Sequence, residues 1–153
     1  MYGYHIHHMN KYIWLVGPIL MLSSFSTSGQ STVSLNLLCQ INGEITSMAV
    51  SGVTTVPIKD TTMSILVEKG VISISDGQNY FSNKMRAAFS QDTIFASDEW
   101  KQGDNDNRKQ YLEINRNTGM VRVTKDITFE NPTIVLSAKA SGNCEKLANK
   151  KKF

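Results

Sequence analysis

The stretch Tyr111-Leu112-Glu113-Ile114-Asn115-Arg116-Asn117-Thr118-Gly119-Met120-Val121-Arg122-Val123-Thr124 decides the fold. Residues 111–115 alternate polar and apolar groups with a period of two, which turns one row of side chains inward and the other outward on a pleated strand. Asn117-Thr118-Gly119 fits a type I turn closed by a glycine bulge, because glycine takes the positive φ such a bulge requires. Residues 120–124 then return with β-branched valines on one face. The unit is an antiparallel hairpin.

Working outward, the same period recurs. Val33, Leu35 and Leu37 alternate into a first strand that ends near Cys39-Gln40-Ile41. Met63, Ile65 and Val67 alternate with Ser64, Leu66 and Glu68, and Lys69-Gly70 leads into Val71-Ile72-Ser73-Ile74-Ser75, a second hairpin closed by Asp76-Gly77. Residues 93–96 and, after Pro132, residues 133–138 add further strands. Residues 83–89 (NKMRAAF) stay open: Asn83 suits the cap of a short helix with Met85 and Phe89 on one face, and a strand fits equally well. The segment 97–110 (SDEWKQGDNDNRKQ) reads as a polar loop around Trp100. The chain is therefore expected to be all-β, a small antiparallel barrel or sandwich of about seven to nine strands with at most one short helix.

The chain has 153 residues, 41% hydrophobic and 19% charged, with 16 Lys+Arg against 13 Asp+Glu. That is room for one domain, and the charge balance disfavours a dedicated nucleic-acid binder. No glycine-rich phosphate loop precedes a helix, and no basic–aromatic interleaving marks a nucleic-acid platform. Residues 12–25 form an uncharged apolar run preceded by Lys11 and followed by Ser26-Thr27-Ser28-Gly29. It is shorter than the roughly 20 residues of a membrane span and matches a secretory signal peptide over residues 1–29. An uncleaved anchor is the alternative. A lipoprotein is disfavoured, since Asn36-Leu37-Leu38 precedes Cys39. Met9-Asn10-Lys11 opens a more ordinary leader than Met1, so residues 1–8 read as an upstream extension. The three histidines, His5, His7 and His8, all lie there. Their H-x-H-H spacing invites a metal, but a cleaved leader removes them, and with them any histidine-based nucleophile or zinc site.

The expected mature domain, residues 30–153, keeps two cysteines, Cys39 and Cys144. In an oxidising compartment the simplest reading is a disulfide between them, closing a loop of 106 residues with both cysteines counted. Chain entropy puts such a staple at roughly 4.7 kcal/mol as an upper guide. A pair of free thiols is the alternative; no C-x-x-C spacing supports it.

Few constellations carry chemistry. Asp104-Asn105-Asp106-Asn107-Arg108 opens like a calcium loop but puts Arg108 at the third ligand position and Lys109 where glycine is required. Asp98-Glu99 is a carboxylate pair beside Trp100, yet adjacent residues of an extended chain point to opposite faces. A serine–lysine dyad has no spacing to single it out. No catalytic residue, metal or cofactor is assigned. The tail Lys150-Lys151-Lys152-Phe153 suits contact with an anionic surface or plain solvation. A membrane barrel needs strands of about 9–11 residues with lipid-facing alternation; the strands read shorter and the aromatics are few, so no membrane span is expected after leader cleavage.

The hairpin Leu112-Glu113-Ile114-Asn115-Arg116-Asn117-Thr118-Gly119, the Gly142-Asn143-Cys144-Glu145-Lys146 segment and the KKF ending together resemble a group of small exported bacterial proteins of unknown function. The resemblance spans the mature chain loosely and its last forty-five residues best, and implies export and the disulfide without an activity. The architecture is also similar to that of periplasmic lysozyme inhibitors, small stapled β-barrels. Their serine-glycine-x-arginine-tyrosine loop is missing, since Ser141-Gly142 leads to Asn143-Cys144. The expected function is that of an exported, periplasmic or secreted, non-enzymatic domain binding a protein or ligand of the envelope or its surroundings. Inhibition of a secreted enzyme and hydrolysis by Asp, Glu, Ser or Lys are the rivals. The expected partner-binding loop holds Asp98, Glu99, Trp100, Asp104, Asp106 and Arg108, an aromatic amid polar groups as at interaction hot spots.

Overall fold

The hairpin at 111–124 is one step in a continuous meander. A computed structural model describes residues 34–147. The expected leader with its three histidines, Val33, and the basic tail at 150–153 lie outside the described residues. Eight strands follow one another: β1 (Leu35–Ala49), β2 (Gly52–Glu68), β3 (Val71–Asp76), β4 (Asn83–Phe89), β5 (Thr93–Trp100), β6 (Asp106–Asn115), β7 (Met120–Glu130) and β8 (Thr133–Lys146). Each pairs antiparallel with the next, and β8 pairs with β1 to close the barrel. Closure, not a two-sheet sandwich, is how the edges of the sheet are removed.

The open choice at 83–89 resolves as strand. Met85 is buried while Lys84 and Arg86 are exposed, and the segment pairs with Val71–Ile74. No helix occurs among the described residues. The expected loop at 97–110 is corrected: β5 continues through Trp100 and β6 begins at Asp106, paired from Thr93↔Asn115 to Trp100↔Arg108. Only residues 101–105 turn. Polarity misled the reading, because outward-facing strand positions tolerate charge.

Turn chemistry is local. Lys69 and Gly70 both take positive φ, 51° and 75°, as a tight two-residue hairpin requires. At the β6–β7 turn the Asn115 side-chain oxygen accepts the N–H groups of Asn117 and Thr118, at 3.0 and 2.9 Å, and Gly119 has φ 74°. This turn docks on the β4–β5 turn. Arg116 Nη1 donates to the carbonyls of Ser90 and Gln91, both at 3.1 Å, and Asn117 Nδ2 donates to the Asp92 carboxylate at 2.9 Å.

The core lies inside the barrel. Cys39, Ile41, Met63, Ile65, Ile72, Ile94, Leu112, Val121 and Val123 are buried to within 1% of completely. Outward positions around them carry Gln40, Ser64, Lys84, Arg86, Glu113, Arg122 and Ser141. The expectation of short strands is corrected: β1, β2, β7 and β8 have 15, 17, 11 and 14 residues, because strand pairing continues through polar stretches that the alternation did not mark. Cys39 and Cys144 form a disulfide across the β1–β8 seam, where they are register partners. At the same seam, a Cβ on Gly142 would overlap the Gln40 carbonyl, and one on Gly43 the Lys139 carbonyl. Glycine alone lets the two strands approach this closely.

Candidate functional site

The strands have unequal lengths, and the site follows from that inequality. The β2–β3 pairing stops at Met63↔Asp76 and the β4–β5 pairing at Ala87↔Ala96. Beyond these levels β5, β6, β7, β8, β1 and β2 continue as a one-sided sheet. Its inner face carries an apolar group on β7, β8, β1 and β2: Ile45, Ile127, Phe129, Ile134 and Leu136 are half-buried, and Val56 is 53% exposed.

A loop floors this sheet. The buried Asp76 carboxylate accepts the N–H groups of Tyr80 and Phe81, both at 2.8 Å, and of Gln78 at 3.2 Å. That grip folds residues 77–82 inward and sends Phe81, fully buried, into the barrel. From β6, Gln110 Nε2 donates to the Phe81 carbonyl at 2.7 Å. Gln110 Oε1 is buried without a hydrogen-bond partner among the described residues.

Polar groups gather just above Gln110. Register sets Asp98 and Lys125 on either side of Gln110, and Trp100 and Ile127 on either side of Arg108. Lys125 Nζ lies 5.9 Å from the Trp100 ring centroid, a cation–π contact. Arg108 donates through Nε and Nη2 to Asp106 Oδ2 at 2.9 and 2.8 Å. Asp106 Oδ1 accepts the Gln102 N–H at 2.6 Å. That hydrogen bond, with Arg108 beside it, holds the Asp106 carboxyl below its ordinary 3.8 although burial opposes the shift. Burial lowers Lys125 from 10.5; Arg108 adds to this and Asp76 counteracts it.

The six expected loop residues therefore separate. Trp100, Asp106 and Arg108 come together on the inner face with Asp98 one row below. Glu99 faces outward, its carboxylate 3.3 Å from Lys109 Nζ, and Asp104 sits exposed in the turn. Arg108, the residue that breaks the calcium pattern, is the one that occupies Asp106. Among the described residues no group of three or more His, Cys, Asp or Glu side chains could hold a metal, and no helix is long and apolar enough to cross a membrane. Sequence reasoning missed Gln110, Lys125, Ile127 and Phe129. The signal was present: continuing the inward period from Val121 and Val123 reaches 125, 127 and 129. Comparison with family models, curated proteins and solved structures yielded no match.

Proposed function

We propose that this chain is an exported, non-enzymatic β-domain of the bacterial envelope, periplasmic or secreted, that holds a partner protein against the inner face of its one-sided sheet. The observation that carries the reading is Trp100, half-buried beside Arg108 and Lys125 at the end of a sheet whose inner face no other described element covers. A rigid aromatic flanked by guanidinium and ammonium groups is the composition of an interaction hot spot. Export is supported by the apolar run at 12–25 behind Lys11, and by a disulfide suited to an oxidising compartment.

The test is Trp100→Ala, read in two ways. Pull-down from periplasmic and secreted fractions should recover a partner with the parent protein and at least tenfold less with the variant. The melting temperature should move by no more than a few degrees. A large stability loss would identify Trp100 as a core residue and overturn the reading, as would unchanged capture.

A further inference from the structure

The opposite end of the barrel holds a second concavity, independent of the Trp100 face. The β4–β5 and β6–β7 turns and the two described chain ends surround a cleft of about 410 Å³, within the range of small-molecule sites. Leu35, Phe89, Ile94 and Ile114 wall it, the last two almost fully buried, and the barrel core closes its inner end. Among the described residues, its charged lining side chains are the cations Arg116 and Lys146. The Arg116 guanidinium is fixed there by the Ser90 and Gln91 carbonyls. The nearby Asp92 carboxylate is engaged by Asn117.

We propose that this cleft binds a free medium-chain carboxylate, its hydrocarbon tail directed into the barrel end and its carboxylate at Arg116 and Lys146. An apolar cleft with cations at its rim is complementary to a group that is apolar at one end and anionic at the other. A neutral apolar ligand would make no use of the cations, and a small polar anion would leave the apolar walls wet.

Isothermal titration of the disulfide-bonded protein with hexanoate, octanoate and decanoate tests this. Affinity should rise about fourfold per added methylene until the cleft is filled. 1-Octanol should bind at least fivefold more weakly than octanoate. Lys146→Gln, at an exposed side chain, should weaken octanoate severalfold and reduce its salt dependence. Leu35→Trp should fill the cleft and abolish binding, while Trp100→Ala should leave it unchanged. Circular dichroism confirms that each variant is folded. No binding at millimolar octanoate, equal affinity for octanol, or binding insensitive to both Lys146→Gln and Leu35→Trp would overturn the proposal. Binding to anionic-lipid vesicles without binding to free octanoate would overturn it as well.

Discussion

The lower barrel and the upper sheet are built from the same strands and the same two-residue alternation, yet they bury their inner faces to different degrees. On β5 and β6, Ile94 and Ile114 are 1% and 2% exposed. On β7, inward Val121 and Val123 are fully buried, and the same row continues to Ile127 and Phe129, which are only half-buried. Strand composition does not separate the two regions. What separates them is the opposite wall: β3, β4 and the 77–82 loop stand across the lower rows and stop short of the upper ones. Apolar side chains in a closed barrel are satisfied by the fold itself, and those on an unopposed sheet are available to a partner.

The largest effect should come from the plug between the regions. Phe81→Ala empties the space beneath the upper sheet and is expected to cost about 3–5 kcal/mol in chemical denaturation. A smaller loss would mean that the lower barrel collapses around the gap. Next come matched isoleucines. Ile94→Ala should cost about 2–5 kcal/mol and Ile127→Ala about 1 kcal/mol or less. Equal costs would show that the upper face is as covered as the lower and would erase the distinction.

Replacing both Cys39 and Cys144 with alanine should cost about 2–4 kcal/mol, since the link constrains an unfolded loop of 106 residues. The fold should survive, because twelve residue pairs from Leu37↔Lys146 to Met48↔Val135 close the same seam. Loss of the barrel's far-ultraviolet dichroism in the double variant would contradict this. The smallest effect is that of pH at the upper mouth. Asp106 has its folded pKa depressed, so its contribution is present above the ordinary 3.8 and disappears as pH falls through the lower folded value. Asp106→Asn should therefore flatten the dependence of stability on pH below about 4, and an unchanged slope would show that the Gln102 and Arg108 contacts leave the carboxyl unshifted.

Much of this was legible without coordinates. Alternation at 63–75 and 111–124 located two hairpins, and Lys69-Gly70 and Asn117-Thr118-Gly119 marked their turns through glycine's tolerance of positive φ; the Asn115 cap was seen only in the structure. The β6–β7 turn and the end of β8 help to hold the barrel shut. The Gly119 carbonyl accepts the Cys144 N–H at 2.9 Å, Gly142 lies against Gln40, and Arg116 ties two turns together. The candidate site was legible only in part. Trp100, Asp106 and Arg108 stood out by composition, but reading 97–110 as a loop hid which of its residues share a face.

By itself, then, the sequence determined the all-β character, the main hairpins and the cysteine pair, because period-two alternation, glycine turns and residue type act over a few neighbouring residues. Tertiary structure alone decided that the sheet closes, that β1 pairs with β8 along its length across a separation of 105 residues between its cysteines, and that the strands extend to unequal heights. It also decided that Trp100, Arg108 and Lys125 converge. Register between strands is set by every pairing in the barrel at once, so no local window of sequence carries it.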